Sequence, residues 1–252
     1  MIVIIDCHVH LLQGSGSVQE RADSLLHYAD KHGIDKLVVS LGGNLQAQPT
    51  ADDLRAANDF VFSAQAHRPD RIIGFTYASP AHPEVSVAEI DRTIVNGPFR
   101  GVKMLCCRLC DDPGADPIAA RAGELGVPIL QHTWIKADGN DPTESHPQNL
   151  ANLARRFPGT QLIMAHSGGN WQMGIRIIRH VRNIAVDVCG GHPEQGQVEL
   201  GVQLLGAERV IWGSDASGRS FASQLAKVVG ADISNADRAL ILGGNIARMM
   251  GL

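Results

Sequence analysis

Ile2-Val3-Ile4-Ile5-Asp6-Cys7-His8-Val9-His10 is the stretch of sequence from which both the fold and a candidate site can be predicted. The apolar run at residues 2–5, rich in β-branched side chains, predicts a buried strand. Because side chains alternate along an extended chain, His8 and His10 point to the same side of it. Asp6 lies on that side too, where its carboxylate can hydrogen-bond the second nitrogen of a histidine ligand. Two neighbouring imidazoles at a strand end can bind one metal ion, although a lone His-x-His pair also occurs by accident in loops.

Seven further short apolar runs follow along the chain and predict further strands. They span residues 36–41, 72–77, 101–105, 127–131, 162–165, 184–188 and 210–212. Helical patterns separate them at residues 17–31, 51–67, 86–95, 117–125, 147–156, 171–181, 197–205, 221–229 and 236–250. Strands that alternate with helices predict parallel strands with helices packed outside. Eight such units in one domain, residues 1–252, favour a closed (β/α)8 TIM barrel, with an open doubly wound sheet as the alternative.

The composition limits the class of partner. Hydrophobic residues make up 44% of the 252 residues and the formal net charge is −4, which argues against nucleic acid, since phosphate binding needs a basic face. The sequence has no apolar segment of transmembrane length and no signal-peptide pattern, so we expect no membrane association and a cytoplasmic location. Five cysteines, an odd number, favour a reducing compartment. A homodimer is the common state of soluble barrels and is our expectation here.

Polar residues that can bind ligands follow several predicted strands, at the end where a TIM barrel carries its active site. In chain order these residues are His8, His10, Lys103, His132, His166 and Asp215. Taken alone, each is more often structural, as a hydrogen-bonded histidine or a barrel lysine that extends to solvent. Because the strand ends meet at one face, we expect the six side chains to converge on a metal site. Asp187 lies on the seventh predicted strand, and the sequence predicts no role for it.

These motifs resemble the amidohydrolase superfamily, in particular the amidohydrolase-related branch that also contains metal-dependent decarboxylases. The similarity runs nearly from end to end of the chain and is specific at the level of the superfamily, but it says little about the substrate. It is carried by Asp6-Cys7-His8-Val9-His10, Gly101-Val102-Lys103, Gln131-His132-Thr133, Ala165-His166-Ser167-Gly168-Gly169, Gly213-Ser214-Asp215 and Gly244-Asn245-Ile246-Ala247-Arg248.

The resemblance implies one divalent metal, most often zinc, with manganese or iron as alternatives. The implied ligands are His8, His10, His132 and Asp215. In such enzymes the metal lowers the pKa of a bound water and polarises the substrate. Asp215 then accepts a proton and passes it on, and His166 assists proton transfer or polarises the substrate.

Lys103 is the ambiguous position of the resemblance. In binuclear members a carboxylated lysine on the fourth strand bridges two metals, and histidines of the fifth and sixth strands hold the second metal. Lys103, His132 and His166 would form that second site here. In many members of the branch the lysine is unmodified and contacts the substrate, and we favour this arrangement with one metal.

Several loop residues are predicted to bind a small-molecule substrate. Arg108 follows the fourth predicted strand and Arg219 follows the eighth, where either arginine can pair with a substrate carboxylate or lie exposed to solvent. Trp134 and Trp171 are candidates for apolar walls. The segment 135–146 is the longest loop after a ligand-bearing strand and is the candidate lid.

The sequence favours a metal-dependent hydrolase that cleaves a C–N or C–O bond, as in an amide or lactone, with metal-activated water. The alternative is a non-oxidative decarboxylase acting on a small carboxylate, which would release carbon dioxide instead of consuming water. A TatD-like nuclease also begins with His-x-His, but such a protein should carry an acidic ligand near the middle strands, where this chain has Lys103. A non-catalytic barrel should have lost at least one metal ligand. All of the predicted ligands are present, which argues against this alternative.

Overall fold

A computed structural model of the chain describes residues 3–12, 14–43 and 46–252. It confirms the predicted TIM barrel, built from parallel strands that alternate with helices. The strands are β1 (Ile5–Leu12), β2 (Lys36–Gly43), β3 (Ile72–Gly74), β4 (Thr76–Ala78), β5 (Val102–Met104), β6 (Ile129–Gln131), β7 (Leu162–Met164), β8 (Ile184–Asp187) and β9 (Val210–Ile211). The assignment of residues 1–252 to a single domain stays a prediction.

The strands β3 and β4 together fill the place of the third barrel strand, with an interruption at Phe75. Strand β3 pairs in parallel with β2, and β4 pairs in parallel with β5. The Phe75 N–H donates to the carbonyl of Val39, on the β2 side, at 2.9 Å, whereas the Thr76 N–H donates to Gly101, on the β5 side, at 2.8 Å. Pairing therefore passes from one neighbour to the other within a single extended segment, which leaves eight barrel positions.

Hydrogen bonds join β1 to the segment that follows β9 and so connect the first strand to the last. The Asp215 N–H donates to the carbonyl of His8 at 2.7 Å, and the His10 N–H donates to Ala216 at 2.5 Å. This pairing satisfies backbone groups that an open sheet would leave at its edges. It also fixes the backbone of Asp215 beside that of His8.

The helices surround the strands. They are α1 (Val18–Asp30), α2 (Ala51–His67), α3 (Pro83–Ile90), α4 (Asp116–Leu125), α5 (Pro147–Arg156), α6 (Trp171–Ile178), α7 (Gln197–Leu205), α8 (Phe221–Val229), α9 (Asn235–Ala239) and α10 (Asn245–Met250). The predicted helix at 236–250 is divided, because a π-helical turn at Leu240–Gly244 separates α9 from α10. Of the described helices, none combines the length and apolar character that crossing a bilayer requires.

Alternation along β5 decides which side chains enter the barrel. Val102 and Met104 are buried in the apolar layer between the strands and the helices. Lys103 therefore points the other way, into the barrel, where Leu130 and Ile163 belong to a separate interior cluster. A fully buried lysine in this position needs polar partners, which the strand ends supply.

The first strand differs from its prediction. We expected strand at residues 2–5 with the histidines after it, whereas β1 spans Ile5–Leu12 and contains both His8 and His10; Ile2 lies outside the described residues. The sequence did not indicate the full length of the strand because polar residues interrupt its apolar pattern. In the structure, β1 is nevertheless buried by its neighbours along nearly its whole length. Its register against β2 is irregular between Asp6 and Val9, which is typical of a β-bulge.

Candidate metal centre

The imidazoles of His8 and His10 face each other inside the mouth of the barrel. Their Nε2 atoms lie 3.1 Å apart, and both side chains are buried. The other nitrogen of each ring donates a hydrogen bond to an oxygen, His8 Nδ1 to Asp187 Oδ2 at 2.7 Å and His10 Nδ1 to the carbonyl of Ser40 at 3.2 Å. Since each neutral imidazole carries one proton, both Nε2 atoms are unprotonated and their lone pairs point at the same place.

Asp215 adds a carboxylate oxygen to this pair. Its Oδ1 lies 3.5 Å from His10 Nε2 and 3.8 Å from His8 Nε2. The backbone of Asp215 has a φ of 62°, in the left-handed region that residues other than glycine rarely adopt, and such strain is often found at functional sites. Burial raises the pKa of Asp215, an effect that Lys103 opposes.

Both histidines are held neutral, which is the form that binds metals. Burial lowers the pKa of His10 to about 3 and that of His8 well below its usual range, and the ammonium of Lys103 adds to both shifts. Two unprotonated imidazole nitrogens and one carboxylate oxygen then face one another. This donor set fits a divalent cation of the zinc or manganese type.

Lys103 lies inside this group. Its side chain is fully buried, and Nζ donates to His8 Nε2 at 2.9 Å. Burial lowers the pKa of Lys103, which increases the fraction of its uncharged form. The structure thus places Lys103 against a proposed ligand, and its predicted contact with substrate stays a prediction.

Asp187, and not Asp6, is the carboxylate that orients His8. Asp6 Oδ1 instead accepts the backbone N–H groups of His8 at 3.0 Å and Ser214 at 2.9 Å, so our assignment of Asp6 to a histidine nitrogen was wrong. The irregular register of β1 turns the carboxylate toward the backbone. Asp187 is fully buried, and its Oδ2 also accepts the thiol of Cys189 at 2.8 Å. Burial raises the pKa of Asp187 to about 6.

A second pair of histidines lies beside the first. His132 follows β6 and His166 follows β7, and His166 Nε2 is 3.2 Å from His132 Nδ1. The ring centroids of His166 and His8 are 5.0 Å apart, so the two pairs share one mouth. Burial lowers the pKa of His166 well below its usual range, and the nearby His132 and Lys103 add to the shift.

His132 is separated from the other three predicted ligands. Among the described residues, His8, His10 and Asp215 form one group whose ligand atoms lie within 4.8 Å of one another, whereas His132 belongs to a different group with Cys106 and Glu144. His132 Nε2 donates to Glu144 Oε1 at 3.0 Å. The role of His132 as a fourth ligand of the same metal therefore stays a prediction.

Close packing against Gly190 fixes the side chain of His166. Its own φ is 58°, and a Cβ atom added to Gly190 would lie 2.4 Å from His166 Nδ1. Gly190 also has a φ of 66°, so both space and backbone geometry require glycine there. Lys227 Nζ holds this loop by donating to the carbonyl of Gly190 at 2.6 Å.

A cavity of about 210 Å³ opens next to His166. Its wall includes Trp134, Trp171 and Arg219, and Glu194 accepts the indole N–H of Trp171 at 2.7 Å. The structure therefore brings Trp134 and Arg219, two predicted substrate-binding residues, to the side of the centre where an organic ligand has room.

Arg108 does not line this cavity. It pairs with Asp112 four residues along the chain, at 3.4 Å, and its side chain is 53% exposed. This exposure agrees with the alternative of a solvent-exposed loop arginine. The assignment of Arg108 to substrate binding stays a prediction.

Three residues of the site were missed in the sequence. Asp187 carried no assignment because only the folded chain brings it to His8, 179 residues away. Cys189 and Glu144 show no distinguishing pattern in the sequence, and only the folded chain brings them close to histidine nitrogens. An acidic residue inside the segment 135–146 was the one available signal for Glu144.

Comparison with known proteins identifies a family and two relatives that this chain is similar to. A family model described as amidohydrolase matches residues 5–252. A 2-amino-3-carboxymuconate-6-semialdehyde decarboxylase of Dictyostelium discoideum is 23% identical over 261 residues, which cover 87% of this chain and 72% of that protein. A gamma-resorcylate decarboxylase of Rhodococcus jostii (strain RHA1) is 27% identical over 203 residues, covering 77% of this chain and only 59% of that protein.

Solved structures share the fold. The 2,6-dihydroxybenzoate decarboxylase from Rhizobium superposes with a TM-score of 0.80 at 18% identity and covers 100% of this chain and 99% of that one. A dihydroxybenzoic acid decarboxylase from Polaromonas sp. JS666, with bound manganese and the inhibitor 2-nitroresorcinol, gives 0.78 at 18% identity, with 100% and 98% covered. The family match over residues 5–252, together with this fold, shows that the chain belongs to the amidohydrolase family.

Proposed function

We propose that the protein is a metal-dependent, non-oxidative decarboxylase of a small aromatic or otherwise unsaturated carboxylate. The observation that carries the proposal is the cavity beside His166, which combines aromatic walls with the cationic Arg219 next to the group of His8, His10 and Asp215. Both sequence relatives are named as decarboxylases, which supports lyase chemistry over the hydrolase that the sequence favoured.

The cavity suits a single substituted ring. A volume of about 150 Å³ is enough to hold benzene, and this cavity measures about 210 Å³. Trp134 and Trp171 offer flat apolar faces for a ring, and Arg219 offers a guanidinium that can pair with a carboxylate or a phenolate. A small carboxylate is therefore the proposed substrate, and a homodimer stays a prediction.

The metal would be held by His8, His10 and Asp215, with His132 as the predicted fourth ligand. When bound, a divalent ion supplies a Lewis acid that fixes an anionic oxygen of the substrate. Manganese is present in several structural relatives, so the preference for zinc over manganese or iron stays a prediction.

The chain must supply one proton. In the reaction a proton is added to the carbon that bears the carboxylate, the C–C bond breaks, and its electron pair returns to the unsaturated system as carbon dioxide leaves. Asp215 is proposed to carry this proton on the carboxyl oxygen that does not face the histidines, since the resemblance implies that Asp215 accepts a proton and passes it on. His166 is neutral, since burial lowers its pKa, and its proposed role is to hold an oxygen of the substrate by hydrogen bonding.

The test is product analysis with protein loaded with manganese or zinc. We expect 2,6-dihydroxybenzoate and related ring carboxylates to yield carbon dioxide and the decarboxylated ring, measured by headspace gas analysis and chromatography. Arg219→Gln is expected to raise KM about tenfold or more, because a charged hydrogen bond is worth about 1.5–3 kcal/mol. The matched control is Arg108→Gln, which changes an exposed arginine outside the cavity. Turnover of lactones or amides without carbon dioxide release would overturn the proposal.

One observation favours a second function, a binuclear hydrolase. His132 Nδ1 and His166 Nε2 lie 3.2 Å apart as a separate pair, with Lys103 buried nearby. If Lys103 is carboxylated, as the resemblance implies for binuclear members, this pair is placed to hold a second metal. Elemental analysis of protein prepared with bicarbonate separates the two functions, because about one metal per chain supports the decarboxylase and about two support the hydrolase.

A further inference from the structure

We propose that Glu144 is a positioning residue that keeps the proton of His132 on Nε2 and thereby directs the unprotonated Nδ1 into the centre. Glu144 lies outside the sequence motifs, which assign no role to it. The inference rests on the proposed function only in taking the centre as catalytic.

The contact between the two side chains is well buried. His132 Nε2 donates to Glu144 Oε1 at 3.0 Å, and the Glu144 side chain is only 7% exposed. Glu144 belongs to the segment 135–146, the candidate lid, which returns toward β6 after leaving it. The N–H of Trp134 donates to the carbonyl of Ser145 at 2.9 Å, so the two ends of the segment are joined beside His132.

The other oxygen of Glu144 is fixed by the same segment. Lys136 Nζ lies 2.8 Å from Glu144 Oε2, and Asn140 Nδ2 donates to that oxygen at 3.1 Å. Asn140 also donates to the carbonyl of Trp134 at 2.6 Å and accepts the backbone N–H of Lys136 at 3.0 Å. The carboxylate is thus held in one orientation and has little freedom to release His132.

This contact decides which nitrogen His132 presents. A neutral imidazole has one N–H, and a carboxylate can only accept, so the proton stays on Nε2 and the lone pair lies on Nδ1. Nδ1 is the atom that lies 3.2 Å from His166 Nε2. Asp187 does the opposite at His8, where it holds the proton on Nδ1 and leaves Nε2 unprotonated. Two carboxylates therefore select opposite tautomers for two histidines that face the same mouth.

The direct test is the tautomer of His132, observed by 15N NMR of histidine-labelled, metal-free protein near pH 8. The His132 signals are assigned by comparison with His132→Asn. We expect a protonated Nε2 and an unprotonated Nδ1 in the wild type, and a mixture of tautomers in Glu144→Ala. Glu144→Gln keeps an acceptor oxygen and is expected to restore most of the wild-type signal. Lys136→Met, the control, removes the ion pair but leaves the contact with His132, and the tautomer is expected to stay unchanged.

The kinetic test separates positioning from folding. Loss of a carboxylate that orients a site histidine typically costs 10–100-fold in metal affinity or activity. We expect a fall of that size in kcat for Glu144→Ala at saturating metal, with KM changed less than about threefold and with partial recovery in Glu144→Gln. Equal losses of kcat in both variants, with an unchanged tautomer, would overturn the positioning role.

The outcomes also distinguish this inference from the proposed function. If decarboxylation is absent but Glu144→Ala changes the His132 tautomer, the positioning role is supported and the decarboxylase proposal fails. If decarboxylation is present and the tautomer is the same in wild type and Glu144→Ala, the positioning role alone is overturned. Should Glu144→Ala fail to fold, Glu144→Asp takes its place, since its shorter side chain withdraws the acceptor from His132 Nε2. A mixture of tautomers in this variant is expected under the proposal, and an unchanged tautomer contradicts it.

Discussion

The two histidine pairs of the centre are built in different ways. His8 and His10 lie within β1, and the carboxylate that orients His8 belongs to β8, so barrel strands fix the first pair. His132 and His166 follow the ends of β6 and β7, and the carboxylate that orients His132 comes from a loop. The scaffold therefore determines the first pair, and the second depends on segments that can vary without loss of the barrel. We infer that the first pair serves metal binding, whereas His166 of the second pair serves the substrate.

The strongest test of this difference is removal of the first pair. His8→Ala with His10→Ala deletes two of the three atoms that face one another, and we expect bound metal to fall from about one per chain to near zero after dialysis against a chelator. Elemental analysis of folded protein checks this. His180→Ala, a change of an exposed histidine, is the control. Unchanged metal content in the double variant would refute the assignment of the centre.

Removal of His166 tests the second pair. His166→Asn is expected to leave the metal of the first group in place while kcat falls by about 100-fold to 1,000-fold, the usual range for loss of a donor that holds a substrate oxygen. Metal content and kcat are measured on the same preparation. Loss of metal in this variant would instead place His166 among the ligands and erase the distinction between the pairs.

A smaller effect is expected at the carboxylate behind the first pair. Asp187→Asn weakens the acceptor for His8 Nδ1, and we expect metal affinity to fall about 10–100-fold in competition with a chelating dye. Asp6→Asn is the informative comparison, since Asp6 accepts backbone N–H groups and its loss is expected to lower thermal stability more than metal affinity. If Asp6→Asn weakens metal binding as much as Asp187→Asn, the two carboxylates are not functionally distinct.

The sequence predicted the scaffold better than it predicted the site. Alternating apolar runs and helical patterns are local, and they were sufficient for the barrel and for the strand ends that carry His132, His166 and Asp215. Asp6 was predicted to hydrogen-bond a histidine ligand because it is close in sequence, whereas the contact between His8 and Asp187 depends on how distant strands pack. Contacts made by loop side chains, such as that of Glu144, depend on loop conformation and have no periodic signature.

The same difference between loops and strands explains the two arginine predictions. Arg108 and Arg219 both follow predicted strands and looked equivalent in the sequence. In the structure the chain after β5 pairs Arg108 with Asp112, whereas Arg219 lines the cavity. Position relative to a strand end thus predicts proximity to the mouth, but only the path of the loop decides which side chains enter it.

A buried carboxylate outside the centre should behave differently from those that orient histidines. Glu89 on α3 is buried and accepts hydrogen bonds from Arg92 at 2.7 and 2.8 Å and from Asn58 at 2.9 Å. Burial alone would raise its pKa, but these hydrogen bonds outweigh it, so the pKa of Glu89 is lowered on folding. A lowered pKa stabilises the folded state above the pKa of the unfolded chain, and that stability is lost as the pH falls through the folded value.

We therefore expect Glu89→Gln to lower the free energy of unfolding by about 1–3 kcal/mol at pH 7 and by progressively less as the pH falls below about 4. Urea denaturation of both proteins across this range measures the difference, and metal content and KM are expected to be unchanged. A loss of stability without a loss of metal binding would separate Glu89 from Asp187, although both are buried and hydrogen-bonded. A metal-binding defect in Glu89→Gln would mean that burial of a carboxylate, and not its contact with a histidine, is what the centre requires.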